Sequence, residues 1–384
     1  MKKICFITTV SSTLKSFVID NAKNLYEKKG YDITLICNDD RVFAEQLPEY
    51  IKFIPVKMER GVNLKGFSAI FSFIKIFRQN KFDYIQYATP NASLYASIAS
   101  SLLRCPVRVY AQWGIRYVGL SGLGKKVLKL FEKITCILST HIRAVSQKNM
   151  QFAINEKLCD QGKVKVIGNG GTVGVCLNEF DISQKQALRE KAYKKFNISN
   201  DTFVFGFVGR LSKDKGSYEM LTAFKSIIEK GYNAKLLIVG DNESSAESND
   251  IIKWAQQSDS VIFAGRYPKS ELDMFYAAFD CYVHPTYREG FGMVLQEAGA
   301  MGNAIITTNI PGASEVMENG ISCVLVPPQN IDELTFAMEE MMRNPDKAIL
   351  LGQNAYQRTK TLYERSIMLD NILKDIDNIL GEKQ

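Results

Sequence analysis

The sequence predicts an α/β protein of two parallel-sheet domains, and three observations carry that expectation. Short β-prone apolar runs alternate with helix-period patterns from end to end, which is how βα units on parallel sheets read. The alternation falls into two series, interrupted by a glycine-rich stretch and then a polar helix. A length of 384 residues is also too great for one ordinary core and suits two domains of under about 200 residues each.

In the first series, Ile4 to Val10, Ile33 to Cys37, Phe53 to Val56, Tyr84 to Tyr87 and Val107 to Ala111 read as strands. The segments Leu14 to Lys29, Gly66 to Gln79, Ala92 to Leu103 and Leu123 to Leu138 read as helices between them, joined by right-handed crossovers. The second series begins at Phe203 and runs through Leu236 to Val239, Val261 to Phe263, Cys281 to Val283, Ala304 to Ile306 and Cys323 to Val326. The boundary is expected between Gly168-Asn169-Gly170-Gly171 and the polar helix Ser183 to Phe196. From Asp346 onward the pattern is helical without strands. No internal repeat or low-complexity stretch is evident.

With 46% hydrophobic and 23% charged residues the chain is globular rather than disordered. Its eight cysteines form no Cys-x-x-Cys pair and several lie inside apolar runs, so they read as small buried hydrophobes in a reducing cytoplasm. Two histidines in all, His141 and His284, make a histidine-built zinc site improbable. Lys2 and Lys3 precede an apolar run that breaks at Thr8-Thr9, which is a strand and its loop, not a secretion signal.

Charge is lopsided. Residues 1–180 hold 26 Lys and Arg against 13 Asp and Glu, a formal +13, and the remainder of the chain is −6. No helix-turn-helix, zinc-finger or RNP pattern accompanies the basic half, so no nucleic acid is expected. Instead Lys125, Lys126, Lys129 and Lys133 alternate with Val127, Leu130, Phe131 and Ile134, and the aromatic segment Phe67, Ile70, Phe71, Phe73, Ile74, Ile76, Phe77 ends in Arg78 and Lys81. Basic amphipathic helices bind anionic bilayers, so peripheral attachment is expected; the alternative is that the apolar faces pack on the sheet. No run is long and apolar enough to span a bilayer.

The chemistry concentrates in the second half. Arg288-Glu289-Gly290-Phe291-Gly292-Met293-Val294-Leu295-Gln296-Glu297-Ala298 reads as a strand end, a turn and a helix start, with Glu289 in the loop and Glu297 about two turns along the helix. The amides of Gly290, Phe291 and Gly292 are expected to be unpaired donors at a helix N-terminus, which suits an anion such as phosphate. Upstream, the apolar run Phe203 to Val208 ends in Gly209-Arg210 and leads to Lys215-Gly216, placing two cations just beyond a strand's carboxyl end, where a diphosphate is held. Carboxylates beside a phosphate site suggest a nucleotide sugar, whose hydroxyls donate to them.

Gly209-Arg210 with Lys215-Gly216, then Val239-Gly240-Asp241, Phe263-Ala264-Gly265 and Pro285-Thr286-Tyr287-Arg288-Glu289-Gly290-Phe291-Gly292 with Glu297-Ala298, in this order, resemble the retaining glycosyltransferases of the GT-B fold. More narrowly they resemble family 4, which builds bacterial capsule, lipopolysaccharide and other surface glycans. The C-terminal half matches densely. The N-terminal half matches in element order and in phrases such as Lys3 to Thr9 and Val166 to Gly170.

The resemblance implies two Rossmann-like domains facing a cleft: an acceptor domain over 1–180, a nucleotide-sugar domain over 181–363, and a last helix, 364–384, returning to the first domain. It implies transfer from a nucleotide-diphosphate sugar, UDP favoured, to a growing glycan or undecaprenyl-linked acceptor. The enzyme would act at the cytoplasmic face of the membrane. Arg210 and Lys215 would stabilise the leaving diphosphate, assisted by the Gly290 to Gly292 amides, with Glu289 on the sugar and Glu297 on the ribose hydroxyls. Gly209, Gly265 and Phe291 complete the donor site. No cofactor and no metal are implied. Asp375-Ile376-Asp377 looks like a metal-binding Asp-x-Asp but is expected to be a solvated helix face.

On the acceptor side the resemblance points to Ser11, Ser12, Gln112, Trp113 and Arg116. Here the chain departs from the family, because the phrase that often carries His-Gly reads Tyr110-Ala111-Gln112-Trp113-Gly114. Neither Gln112 nor Trp113 is a base at neutral pH. A retaining transfer tolerates this if the leaving phosphate accepts the acceptor's proton; Gln112 and Arg116 are then polar contacts and Trp113 a sugar platform. A sugar-nucleotide 2-epimerase on the same fold and a non-catalytic partner in a polysaccharide assembly complex are the alternatives.

Overall fold

The computed structural model describes residues 1–59, 66–119, 121–243 and 249–381. They form two compact units, one comprising Met1–Val173 with Ser366–Gln384 and the other Gly174–Arg365.

The first unit is a seven-stranded parallel sheet in the order β3-β2-β1-β4-β5-β6-β7. Its strands are β1 (Lys3–Ile7), β2 (Asp32–Cys37), β3 (Ile51–Pro55), β4 (Tyr84–Tyr87), β5 (Val107–Gln112), β6 (His141–Ala144) and β7 (Val164–Val166). Its helices are α1 (Ser11–Phe17), α2 (Ile19–Lys29), α3 (Arg41–Glu45), α4 (Gly66–Asn80), α5 (Pro90–Leu102), α6 (Gly122–Leu138) and α7 (Gln147–Asn155). The single helix expected over Leu14 to Lys29 is two, because Val18 leaves helical geometry at φ −129°. Strands β6 and β7 extend the expected five-stranded sheet.

Two apolar layers hold the sheet. One packs Phe73, Phe77, Ala96, Ala99 and Cys136 of α4, α5 and α6 against Ile85, Tyr110 and Ile142. The other packs Leu14, Ala22 and Leu25 against Ile33, Leu35 and Val109, and is closed by Leu373, Ile376 and Ile379 from the end of the chain.

The second unit is a six-stranded parallel sheet in the order β10-β9-β8-β11-β12-β13. Helix α8 (Lys185–Phe196) leads into β8 (Phe203–Val208), α9 (Ser217–Glu229), β9 (Ala234–Val239), α10 (Asn249–Gln257) and β10 (Val261–Gly265). Then come α11 (Leu272–Ala278), β11 (Cys281–His284), α12 (Met293–Ala300), β12 (Ala304–Thr308), α13 (Ala313–Val316), β13 (Val324–Val326), α14 (Ile331–Arg343) and α15 (Pro345–Leu362). The apolar run of β8 is central and buried on both faces, as parallel strands require.

Helix α16 (Arg365–Gly381) belongs to the first unit, and it corrects the reading of Asp375 and Asp377. They are not a solvated face. Asp375 accepts from the buried Arg143 of β6 at 2.6 Å; Asp377 accepts from Tyr31 at 2.7 Å and pairs with Lys29 at 2.6 Å. A guanidinium inside a sheet needs a carboxylate, and the last helix supplies it.

Candidate active site

In each sheet the strand order reverses once, between β1 and β4 in the first unit and between β8 and β11 in the second. Loops leaving the carboxyl ends of the two strands at such a reversal diverge and leave a crevice where ligands of open α/β sheets bind. In the second unit those two loops carry Lys215 and Glu289.

The loops are laced together before any ligand is considered. The amide of Tyr287 and the hydroxyl of Thr286 both donate to the Asp214 carbonyl, at 2.9 and 3.1 Å. Gly216 sits at φ +68°, and a Cβ there would lie 2.0 Å from the Pro285 carbonyl oxygen, so only glycine lets the backbones approach. Gly312, at φ +86°, presses on the carbonyls of Glu289 and Gly290 in the same way: a Cβ on it would lie 2.5 Å from each oxygen.

This lacing brings the Lys215 ammonium to 2.7 Å from Glu289 Oε2, with both side chains largely buried. The same oxygen accepts from His284 Nε2 at 3.1 Å, and Oε1 accepts the Gly290 amide at 3.1 Å. Burial alone would raise the Glu289 carboxyl; the hydrogen bond from His284 and the Lys215 charge outweigh it and hold the group well below the usual carboxylate range. Burial conversely lowers His284, so the ring is neutral and its one proton lies on the nitrogen facing the carboxylate.

Glu297 is different. It lies little more than one turn into α12, not two, and is buried, with the Tyr276 hydroxyl donating to it at 2.9 Å. Desolvation raises its carboxyl, and the Tyr276 hydrogen bond offsets this only in part.

Arg210 follows β8 and is half exposed, at 54%, with its guanidinium 2.6 Å from Glu243 Oε2. The loop after β9 runs beside the loop after β8, through Leu211 N–H to Asp241 O at 2.9 Å and Glu243 N–H to Leu211 O at 2.9 Å, and so delivers that carboxylate. Gly209 follows β8 and Gly265 ends β10; the Gly209 amide donates to Val239 O at 2.8 Å. Of the three loop amides expected to be unpaired, Gly290 is not, because the carboxylate of Glu289 folds back onto it. The Phe291 ring turns inward, edge-on to Tyr363 at 5.6 Å, so the residue offers a ligand its backbone alone. Gly292, at φ +64°, is the N-cap of α12.

The residues expected on the acceptor side lie at and just beyond the carboxyl ends of β1 and β5, but not all as expected. Gln112 is fully buried, donating to Glu132 Oε1 of α6 at 2.7 Å alongside the Tyr110 hydroxyl at 2.9 Å. It is therefore a core residue and not an outward polar contact: the last position of β5 points into the helix layer, where an amide must find a partner. Ser11 opens α1 and its hydroxyl donates to Asp40, Ser12 is exposed, Trp113 packs on Phe17 with ring centroids 5.2 Å apart, and Arg116 is exposed in a 3-10 turn.

Sequence reasoning missed three residues here. His284 entered only as evidence against zinc, although its place directly before Pro285 and five residues before Glu289 was a signal. Glu243 follows the Val239-Gly240-Asp241 phrase closely. Thr89, at the first unit's reversal, receives the Thr9 amide at 3.0 Å and carries φ +69°, an unusual geometry for a β-branched residue.

Two family models match the chain: "Glycosyl transferases group 1" over residues 189–358 and "Glycosyl transferase 4-like" over residues 3–149. A capsular polysaccharide biosynthesis glycosyltransferase of Staphylococcus aureus, CapM, is 29% identical over 100% of this chain and 99% of its own length. An Escherichia coli enzyme named UDP-Gal:alpha-D-GlcNAc-diphosphoundecaprenol alpha-1,3-galactosyltransferase is 25% identical over 92% of this chain and 89% of its own. Among solved structures, Anabaena HepE in complex with UDP and glucose superposes with a TM-score of 0.77 at 20% identity, covering 98% of this chain and 100% of that one. With the two models spanning both units and the paired Lys215–Glu289 loops at the strand reversal, the chain belongs to the family 4 glycosyltransferases of the GT-B fold, and among them it is similar to enzymes of bacterial surface-glycan synthesis.

Proposed function

We propose that the enzyme is a retaining hexosyltransferase that takes a sugar from a nucleotide-diphosphate sugar, UDP-linked by preference, and adds it to an undecaprenyl-linked or growing surface-glycan acceptor. The observation that carries this reading is the meeting of Lys215 and Glu289 at the strand reversal of the second unit. A cation beside a carboxylate with a lone pair to spare suits a diphosphate next to a sugar hydroxyl. The Escherichia coli relative's name, with a UDP-sugar donor, a diphosphoundecaprenol acceptor and an α linkage, supports the finer assignment.

Negative charge grows on the β-phosphate as the anomeric bond breaks. Lys215 supplies fixed positive charge there, Arg210 joins it by exchanging Glu243 for phosphate, and the Phe291 and Gly292 amides add donors. Because the protein's own cations meet that charge, the reading calls for no metal. Glu289 orients the sugar and Glu297 takes the ribose hydroxyls. The leaving phosphate accepts the acceptor's proton on the same face, which gives retention without a basic side chain at Trp113. Ser11, Ser12, Trp113 and Arg116 receive the acceptor.

Incubation with UDP- and GDP-sugars and an undecaprenyl-diphosphate sugar should give an elongated lipid whose new linkage keeps the donor's anomeric configuration. Release of an epimerised free sugar, or an inverted linkage, would overturn the proposal. Glu297→Ala should weaken both the nucleoside diphosphate and the full donor, while Glu289→Ala should weaken the full donor far more. Equal loss of bare-nucleotide affinity in both variants would remove the division of roles.

We further propose that the first unit rests on an anionic bilayer through α6. Leu123, Leu130 and Ile137 recur every seven residues along its outer face, 76%, 55% and 57% exposed, with Lys126 and Lys133 between them and Lys125 beside them. Helix α4 contributes less than its composition suggested, since Phe73 and Phe77 are buried and Phe71 alone of these three projects; Phe67 lies outside the described side chains. No helix among the described residues is long and apolar enough to cross a membrane. Changing Lys125, Lys126 and Lys133 to Gln should release the protein from anionic vesicles at low salt, each cation contributing about 1 kcal/mol. Lys129→Gln should matter less, because Lys129 is bound to Glu156 at 2.6 Å. Wild-type protein that ignores such vesicles would remove the membrane claim.

A further inference from the structure

Glu289 has room for one more donor, and that follows from counting. An ionised carboxylate offers about four lone-pair positions. Three are taken among the described residues: two on Oε2 by Lys215 and His284, one on Oε1 by the Gly290 amide. The remaining position, on Oε1, can serve a sugar hydroxyl only if the carboxylate plane is held still.

Of the three donors, His284 is the one built to hold it. Lys215 ends a flexible four-carbon stem and its point charge follows the oxygen as it rotates. The Gly290 amide belongs to the neighbouring residue and moves with the loop. The His284 ring, 1% exposed, lies nearly parallel to the rings of Phe207 and Tyr282, with interplanar angles of 24° and 15° and centroid separations of 6.2 and 5.8 Å. Its second nitrogen stands 3.4 Å from the Tyr282 hydroxyl, and its carbonyl accepts from Thr307 of the next strand at 2.9 Å. The ring therefore has one orientation, fixed by the sheet.

We infer that His284 is a positioning residue of the transfer reaction, fixing through its ring N–H the plane in which Glu289 offers its last lone pair to the donor sugar. This rests on the donor site assigned above to the second unit. His284 itself touches no substrate; its effect is confined to the step that needs the sugar in place, and binding of the bare nucleoside diphosphate does not require it.

The test compares wild type, Glu289→Ala, His284→Phe, His284→Asn and His284→Gln in one transfer assay, with UDP binding measured in parallel. His284→Phe keeps an aromatic ring in the stack and removes the N–H; His284→Asn removes its reach with a smaller polar group, and serves if the Phe variant does not fold. His284→Gln returns an N–H near the position of Nε2. Loss of fixed orientation should lower kcat 10- to 100-fold in the Phe or Asn variant. UDP affinity should stay within about twofold, and the Gln variant should recover turnover to within about fivefold of wild type, since the same donor is restored. Wild-type turnover without the N–H, a parallel loss of UDP affinity, or a Gln variant no better than the others would overturn the inference. An active Glu289→Ala would instead overturn the donor-site reading beneath it, so the two failures are separable.

Discussion

Glu289 and Glu297 lie eight residues apart on one turn and helix, carry the same side chain, and are both largely buried, yet their surroundings push them in opposite directions. Glu289 meets an ammonium, an imidazole N–H and an amide, and is held ionised. Among the described residues Glu297 accepts one side-chain hydrogen bond, from the Tyr276 phenol, and burial raises its carboxyl more than that bond and the more distant Lys269 and Arg365 lower it. What separates them is partners, not depth: a carboxylate taken from water is tolerated when charge or several donors replace the water, and strained when one neutral hydroxyl does. Arg210 and Lys215 form a parallel contrast, one pair half exposed and the other buried.

The largest expected effect exploits the cation pair. Lys215→Ala should lower kcat/KM by about 10²- to 10³-fold, as for a lost oxyanion donor. It should also destabilise the second unit by about 2 kcal/mol, because Glu289 is left without its charge partner. Arg210→Ala should lower turnover while leaving the melting temperature nearly unchanged, since an exposed pair contributes under about 1 kcal/mol. Equal destabilisation by both would erase the contrast between buried and exposed pairs.

A smaller effect tests the glutamates through stability alone. A group held below its ordinary carboxylate value on folding contributes stability above about pH 4, lost as pH falls through the depressed value; a raised group does the reverse. Glu289→Gln should therefore lower the melting temperature at pH 7, with the deficit shrinking in acid. Glu297→Gln should raise it at pH 7, with the gain vanishing below about pH 4. Shifts of one sign in both variants would mean that burial and not partnership governs the site.

How far the sequence could be read follows from which interactions are local. The Gly209-Arg210, Lys215-Gly216 and Glu289-Gly290-Phe291-Gly292 phrases mark strand ends and turns by themselves, and the central strands are unbroken apolar runs. Strands β6 and β7 were not legible because each is only three or four residues long and carries a cation, Lys165 or Arg143, and Arg143 is made tolerable by Asp375, 232 residues away. Gln112 read as an outward polar residue because its partner, Glu132, looks like one lysine-flanked surface position among others. The pairing of Lys215 with Glu289 depends on β8 and β11 being neighbours, which no local pattern reveals. His284 stayed hidden for the same reason, since a histidine at a strand end declares neither its burial nor the carboxylate it faces.

The smallest effect concerns Glu243, and it decides whether the Arg210 pair is a structural contact or a placeholder for the donor. The pair is half exposed, 54% and 50%, and spans two loops already tied by backbone hydrogen bonds through Leu211, so the loops do not need it. If the donor's diphosphate takes Arg210, Glu243 must first be displaced, and an exposed pair of this kind resists by about 0.2–1 kcal/mol. Glu243→Gln keeps shape and hydrogen bonding but removes the competing charge. It should tighten donor binding by about 1.5- to 5-fold with kcat unchanged, and the gain should shrink at high salt, which already weakens the pair. The same substitution in an Arg210→Ala background should change nothing. A gain that persists without Arg210 would mean that Glu243 acts on the donor directly by like-charge repulsion, and weaker donor binding in the single variant would mean that Glu243 orients the guanidinium instead of competing for it.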